Sequence, residues 1–451
     1  MTGNLIRLAM AAALAVLVPL APAGPASAAA GAPGGTAGAA EKSPDKDKGR
    51  EYYTGDFKTS LNLYSFNLNL QAWLKNRKGA PPMDTMQAIR FAKEAGFDAV
   101  DVTAYYIPGF DFYTMPTKPR EEIMRYARDI RALTEELGIP ISGTGASNDF
   151  ADPSDERRAL DMERLKFWID AAAEMGAPVM RVFSGVVPAD IDQLGWETVA
   201  RTRIVPAIRE LAAYGAARGV KIGLQNHGDM TATADQTIQI LRWVDDPNVG
   251  IVDDTGYFRP FRSETGQDYN WYADIAKVLP YTSNFQLKKK PAGAETEGLM
   301  DLDRVFTDIR LSGYRGYIPM ELLWVKGEPG YPRDLPEPPY DQIERFLALV
   351  KSAMDRTKAS PFEAIGRSVD RLAKAGEVAK PASAQLTNAV RQAEHHFAKG
   401  HTGQSMKQMH DFLDKVHKAA SKRDISDNAR STLEPQMDAL LQSFTDVFPE
   451  V

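Results

Sequence analysis

The chain has 451 residues, which is long for one small domain and enough for two or three folded units. Its hydrophobic fraction of 43% and charged fraction of 25% exclude a wholly disordered or fibrous protein. The net charge of -6 gives no sign of a nucleic-acid partner, and the lack of cysteine excludes disulfides and thiolate metal sites.

The N-terminus has the pattern of a secretory signal peptide. Arg7 precedes an apolar run from Leu8 to Leu20, and the small residues Ala26-Ser27-Ala28 form a cleavage pattern. We therefore expect residues 1–28 to be removed and the protein to be secreted or extracytoplasmic. The apolar run is too short for a stable membrane span, although an N-terminal anchor or a buried helix is the alternative. Residues 29–50, rich in Ala, Gly and Pro, are predicted to be a disordered linker.

From Phe57 onward, short β-branched or aromatic runs alternate with amphipathic stretches of helical spacing, the pattern of repeated βα units. Gly138 and Gly176 stand just before two of these runs, where left-handed helix caps are expected. Eight units without a Gly-rich phosphate loop favour an α/β fold of the (β/α)8 TIM barrel type, at residues 51–357, over an open doubly wound sheet. The predicted strands are Lys58–Ser65, Asp98–Thr103, Pro140–Gly145, Pro178–Phe183, Lys221–Gln225, Val249–Asp254, Ser283–Lys288 and Tyr317–Leu322.

After about Ser360 the pattern changes to helices only, which predicts a small all-α helical bundle at residues 358–451. The stretch LTNAVRQAEHHFAKGHTGQSMKQMHDFLDKV resembles the FIMAH module of secreted bacterial enzymes. That resemblance implies an accessory role with cell-wall or matrix contact. The predicted helices are Phe362–Ala375, Ala382–Lys399, Gly403–Ser421 and Ser426–Phe444.

Polar residues cluster at the predicted strand ends, where barrels of this kind carry their chemistry. Side chains two residues apart on a strand share one face, so those of strands five to eight should converge. Asp253 competes with Asp254 if the register slips by one residue. The converging residues are Gln225, His227, Asp254, Gln286, Lys288 and Glu321.

The barrel segment resembles the xylose isomerase-like superfamily of sugar isomerases and epimerases, most specifically in GVKIGLQNHGD, NVGIVDDTGYF and GYRGYIPMEL. The resemblance implies one divalent cation, Mn²⁺ or Mg²⁺, held at the positions of Gln225, Asp254, Gln286 and Glu321. The family has a glutamate at the position of Gln225 and a histidine at that of Gln286. Because amides are weaker ligands for hard cations, we expect the metal to be weakly bound or absent.

The amides at Gln225 and Gln286, where the family has a glutamate and a histidine, also affect the expected acid–base chemistry. An amide at Gln225 cannot accept a proton, so Glu321 is the predicted base and Asp254 the second catalytic residue. Lys288 could place an ammonium near these carboxylates and partly replace the cation, or it could be a solvated charge at the rim.

Aromatic and basic residues near the same rim suit a sugar, whose ring faces stack while its hydroxyls need hydrogen-bond partners. Local roles are the alternatives: Gln225 could satisfy buried backbone groups, His227 could be a hydrogen-bonded filler, and Asp254 could cap a helix. The predicted substrate-binding residues are His227, Tyr257, Lys288, Arg181 and Trp324, with Tyr64 and Tyr105 nearby.

The sequence thus predicts an exported sugar isomerase- or epimerase-like enzyme that acts on a carbohydrate or polyol by metal-assisted proton abstraction next to a carbonyl. A catalytically degenerate barrel that binds a glycan or other ligand is one alternative. A lyase or glycoside-cleaving enzyme of the same fold is another. A nucleic-acid substrate does not fit, because the related endonuclease barrel needs a histidine-rich zinc cluster and this barrel has one histidine.

Overall fold

The computed structural model describes residues 50–110, 114–258, 271–289, 300–322 and 337–449. The predicted signal peptide, almost all of the predicted linker and Trp324 lie outside these ranges. Within them, no helix is long and apolar enough to cross a membrane.

Parallel strands close into a barrel in the order β1 to β8, which confirms the predicted fold class. Their alternating side chains fill the barrel on one face and pack against the surrounding helices on the other. The strands are β1 Lys58–Asn62, β2 Ala99–Thr103, β3 Ile141–Gly145, β4 Val179–Phe183, β5 Lys221–Gln225, β6 Val249–Asp254, β7 Thr282–Lys288 and β8 Tyr317–Glu321.

The helices of the barrel begin and end at residues with clear capping chemistry. Asp84 forms a capping box with Gln87, and Thr233 forms one with Gln236. Gly138 closes a helix in the predicted left-handed conformation. The helices are α1 Asn67–Lys75, α2 Thr85–Glu94, α3 Arg120–Leu137, α4 Asp155–Met175, α5 Ile191–Leu194, α6 Trp196–Val199, α7 Val205–Ala216, α8 Ala234–Val244, α9 Trp271–Val278, α10 Leu302–Ser312 and α11 Tyr340–Arg356.

Two predicted elements differ from the observed ones for local reasons. The first strand stops at Asn62, because its side chain accepts a hydrogen bond from the Tyr64 N–H at 2.8 Å and starts a 3-10 turn. The helical spacing of the sequence predicts one helix over Trp196–Arg218, but the π-helical segment Ala200–Ile204 interrupts it. Pro206 follows directly and has no N–H to complete the α-helical ladder.

The C-terminal helices pack on the barrel through α9 and α10. α15 contacts α9 and α10, and Arg304 on α10 forms an ion pair with Asp446 at 2.6 Å. Burial in this contact raises the pKa of Asp308 to about 8. The core of the bundle includes Phe362 and Phe444. The four helices are α12 Pro361–Lys374, α13 Lys380–Ala398, α14 Thr402–Ser421 and α15 Asp427–Val447.

The two acidic residues that end β6 lie on opposite faces of the sheet. Asp254 points into the barrel, where Gln225 and Lys288 contact it. Asp253 is fully buried, and neither of its oxygens has a hydrogen-bond partner among the residues that the structure describes. Burial, followed by the charges of Asp254 and Asp274, raises the pKa of Asp253 well above its ordinary value. Asp254, and not Asp253, is therefore the β6 carboxylate that lies at the barrel mouth.

Arg310 holds the segment before β1 against the barrel. Its guanidinium donates to the carbonyls of Tyr53, Gly55 and Met354 at 2.6, 2.8 and 2.9 Å and to the Thr357 hydroxyl at 3.2 Å. Each of these acceptors would lose a charged donor if the guanidinium were removed.

We expect Arg310→Leu to lower the free energy of unfolding by about 3 kcal/mol or more, because several buried acceptors lose charged donors together. Urea denaturation checks this. Arg356→Leu is the matched control, because Arg356 forms an exposed ion pair with Asp303 and should change stability by less than about 1 kcal/mol. Equal effects of the two substitutions would contradict the role of Arg310.

We expect Asp253→Asn to stabilise the protein more at about pH 8 than at about pH 4. The raised pKa means that the folded chain holds this proton while the unfolded chain releases it, so the wild type loses stability as the pH rises above the ordinary carboxyl value. Melting temperatures at the two pH values test this. Asp129→Asn, on the exposed face of α3, is the control. A shift that is independent of pH would show that Asp253 is not held protonated.

Candidate active site

Strand register brings the predicted polar residues to one place at the C-terminal mouth of the barrel. Asp254 on β6 pairs with Gln286 on β7, and Lys288 on β7 pairs with Glu321 on β8. Paired residues of neighbouring parallel strands point to the same side. Gln286 and Lys288 are two residues apart, so all four side chains enter the barrel.

Lys288 lies between the two carboxylates at the centre of this group. Its Nζ donates to Glu321 Oε1 at 2.6 Å and lies 3.3 Å from Asp254 Oδ2. The Lys288 side chain is 2% exposed and that of Asp254 is fully buried. Glu321 keeps 10% of its side chain exposed, so it is the member of the triad that a ligand in the mouth can reach.

The electrostatics hold Lys288 in its charged form. Burial alone would lower its pKa, but the charges of Asp254 and Glu321 outweigh burial and raise the pKa above the ordinary lysine value. Burial raises the pKa of Asp254, opposed by the charge of Lys288. Lys288 is therefore an ammonium near neutral pH and not a free amine nucleophile.

Amide side chains complete the hydrogen bonding of the carboxylates. Gln225 Nε2 donates to Asp254 Oδ2 at 2.5 Å, and its buried Oε1 has no partner in the described part of the chain. Asn226 fixes the backbone of Asp254, because its amide donates to the Asp254 carbonyl and accepts from the Asp254 N–H, both at 2.8 Å. The position of Asp254 is thus determined by two consecutive residues of β5 and its following turn.

A second polar layer from β1, β2 and β7 was missed by sequence reasoning. Asn62 Nδ2 donates to Gln286 Oε1 at 2.9 Å and to Asp101 Oδ1 at 3.1 Å. Asn284 also contacts Asp101, at 3.4 Å. Burial, opposed by the charge of Arg181, raises the pKa of Asp101 to about 7. The rule that polar strand ends mark the site, applied to β1 and β2 as well, would have found Asn62 and Asp101.

Glycines on β3 make room for these side chains inside the barrel. A Cβ at Gly143 would lie 2.6 Å from Asp101 Oδ2. A Cβ at Gly145 would lie 2.7 Å from Arg181 Nε. Residues with side chains at these two positions would displace the polar groups, so the glycines are a steric requirement of the site.

Aromatic rings line the mouth between β4 and β6. The rings of Phe183 and His227 are 4.6 Å apart, and His227 stacks on Tyr257 at 4.1 Å. Tyr257 also lies 5.4 Å from Lys288 Nζ, and Arg181 lies over Phe183 at 4.1 Å. The predicted ligand-binding residues Arg181, His227, Tyr257 and Lys288 therefore form one continuous lining, whereas Trp324 lies outside the described residues.

The four positions that would hold a divalent cation do not fit one. The ammonium of Lys288 already takes both carboxylates, and a divalent cation beside it would be repelled. Gln225 turns an N–H to Asp254, and the Gln286 oxygen accepts from Asn62. Mn²⁺ and Mg²⁺ need free oxygen ligands. In the described ranges, no three His, Cys, Asp or Glu side chains are grouped as metal ligands.

Known structures resemble the barrel at low identity. A putative xylose isomerase from Rhodospirillum rubrum matches with a TM-score of 0.51 and 17% identity, over 66% of this chain and 99% of that chain. The 3-keto-D-glucoside 4-epimerase from E. coli matches with a TM-score of 0.48 and 15% identity, over 66% and 100%. A D-psicose 3-epimerase from Clostridium cellulolyticum H10 matches with a TM-score of 0.47 and 15% identity, over 66% and 99%. At such identities the likeness concerns the fold alone.

Family models match both parts of the chain. No curated protein matches it significantly. The FIMAH domain model matches residues 362–442, which confirms the resemblance of the C-terminal helices. The model of the xylose isomerase-like TIM barrel matches residues 89–342, more than half of the chain. The chain therefore belongs to the xylose isomerase-like TIM barrel family and carries a FIMAH domain after its barrel.

Proposed function

We propose that the barrel is a sugar isomerase- or epimerase-like enzyme that moves a proton next to a carbonyl and uses the ammonium of Lys288 where relatives use a divalent cation. The observation that carries the proposal is the buried triad of Lys288, Asp254 and Glu321 at the mouth of the barrel. In keeping with the pattern at residues 1–28, we further propose that it acts on free or glycan-derived sugars outside the cytoplasm.

Glu321 is the base in this proposal. Its Oε1 accepts from Lys288, while its other oxygen has no hydrogen-bond partner in the part of the chain described, and the side chain reaches the mouth. Removing a proton next to a carbonyl places negative charge on the carbonyl oxygen. The fixed ammonium beside Glu321 stabilises this charge electrostatically as it develops.

Asp254 and Gln225 are positioning residues. Asp254 shares the ammonium with Glu321 and keeps Lys288 at the centre of the mouth. Gln225 donates to Asp254 but cannot itself take up a proton. Glu321 therefore acts as a single base, which favours isomerisation with return of the proton on the same face of the substrate.

The second candidate is a carbohydrate-binding barrel without catalysis. The replacement of the family's glutamate and histidine by Gln225 and Gln286 is the observation that favours it. Binding without exchange of substrate hydrogen would distinguish this candidate from the enzyme.

Deuterium exchange tests the base. We expect the protein to catalyse the exchange of hydrogen for deuterium next to the carbonyl of an unphosphorylated ketose or aldose in D2O. NMR spectra of a panel of such sugars measure this exchange. Glu321→Gln should slow the exchange by about 100-fold or more while the sugar still binds. Glu344→Gln, on the exposed side of α11, is the matched control. Binding without exchange in the wild type would support the binding protein instead.

Metal removal tests the role of Lys288. We expect the exchange to persist after treatment with EDTA and to be lost in Lys288→Met, with Lys422→Met as an exposed control. The double variant Lys288→Ala with Gln225→Glu should gain Mn²⁺ affinity, because it frees both carboxylates and adds a third. Stoichiometric Mn²⁺ binding by the wild type that disappears in Asp254→Asn would contradict the proposal.

A further inference from the structure

Arg181 on β4 is a buried cation without a carboxylate in direct contact in the described part of the chain. It is 8% exposed, and within the described ranges it forms no ion pair with an acidic residue. A guanidinium stays protonated at all physiological pH values, and burying it without a counter-ion is unfavourable. Lys288, by contrast, is held by two carboxylates.

Only one side of the guanidinium is engaged. Nη1 donates to the Ala146 carbonyl at 2.8 Å and to the Tyr105 hydroxyl at 3.1 Å. Nε is buried and has no hydrogen-bond partner, and Nη2 has none among the residues described. Nε and Nη2 form one edge of the planar group, with two parallel N–H bonds that match the two oxygens of a carboxylate.

Residue 145 is a glycine, and the room that its missing side chain leaves is occupied by the guanidinium itself. A Cβ on Gly145 would be 2.7 Å from Nε and 3.0 Å from Nη2 of Arg181. The charge of Arg181 opposes the effect of burial on the pKa of Asp101, and the amides of Asn62 and Asn284 contact the Asp101 oxygens. The Nε–Nη2 edge of Arg181 has no acidic hydrogen-bond partner among the described residues.

Aromatic rings connect the Nε–Nη2 edge of Arg181 with Lys288 of the triad. Arg181 lies over Phe183, Phe183 contacts His227, and His227 stacks on Tyr257, which lies next to Lys288. A sugar ring can lie against such rings with its two ends at different polar groups.

We propose that the substrate is a sugar acid whose carboxylate binds the Nε–Nη2 edge of Arg181 while its carbonyl end meets Lys288 and Glu321. This deepens the proposed function by naming the substrate class, and rests on it only for the reaction at the carbonyl end. A carboxylate is favoured over a phosphate, because one guanidinium edge offers two donors in a plane and no second free cation is present in the described lining.

Calorimetric titration of the full chain near neutral pH tests the assignment with D-glucuronate, D-galacturonate, uncharged D-glucuronamide and D-glucose. We expect a uronate to bind at least about tenfold more tightly than the amide. Arg181→Gln should remove that preference, so that uronate and amide bind with equal affinity. Arg181→Lys, which keeps the charge but not the two-donor edge, should retain only part of it. Arg345→Gln, exposed on α11, should behave as the wild type.

Equal affinity of the wild type for uronate and amide, or no uronate binding at millimolar concentration, would overturn the assignment. So would a preference for glucose 6-phosphate over glucuronate, or a uronate preference that survives Arg181→Gln. The ligand comparison on the wild type decides the matter even if the variants do not fold. If no sugar exchanges hydrogen but the uronate preference holds, the proposed function fails and the Arg181 site stands. If neutral sugars exchange hydrogen but uronate is not preferred over the amide, the proposed function stands and the Arg181 site fails.

Discussion

The contact of the Lys288 ammonium with Glu321 at 2.6 Å and Asp254 at 3.3 Å is the constraint around which the barrel mouth is organised. Two buried carboxylates side by side would repel each other, and the raised pKa of Asp254 reflects its burial. One buried cation between them makes the arrangement stable and keeps Glu321 in reach of the mouth. In the function proposed above, the side chain of Lys288 supplies the positive charge at the site, and the amides of Gln225 and Gln286 add no further negative charge.

The polar side chains in the lumen fit because two residues of β3 are glycines and have no side chains. Gly143 and Gly145 leave the volume that Asp101, Asn284 and Arg181 occupy. Two cations, Lys288 and Arg181, line the mouth, and their hydrogen-bond partners differ. Lys288 is matched by carboxylates of the chain, whereas Arg181 is held by a hydroxyl and a carbonyl, and its buried Nε has no hydrogen-bond partner among the described residues. The first suits charge that develops during a reaction, and the second suits charge that a ligand brings with it.

The C-terminal helices are attached to the barrel at elements that lead to the site. α15 contacts α9 and α10, and the strands that follow these two helices are β7, which carries Lys288, and β8, which carries Glu321. The Arg304–Asp446 ion pair and the buried Asp308 lie in this contact. The FIMAH domain is thereby anchored on the side of the barrel that supplies two members of the triad.

The sequence by itself determined the closed barrel, the helical bundle and most strand limits, because period-two and helical spacing are local properties that tertiary packing here did not override. It also placed Gln225, Asp254, Gln286 and Glu321 at strand ends. Tertiary structure decided what these residues do together. The β7–β8 register sets Lys288 against Glu321, and the side-chain cap at Asn62 shortens β1 and turns its amide to Gln286 and Asp101. Contacts between residues more than 200 positions apart, such as Asn62 with Gln286, depend on how side chains from distant strands pack inside the closed sheet, which no local pattern encodes.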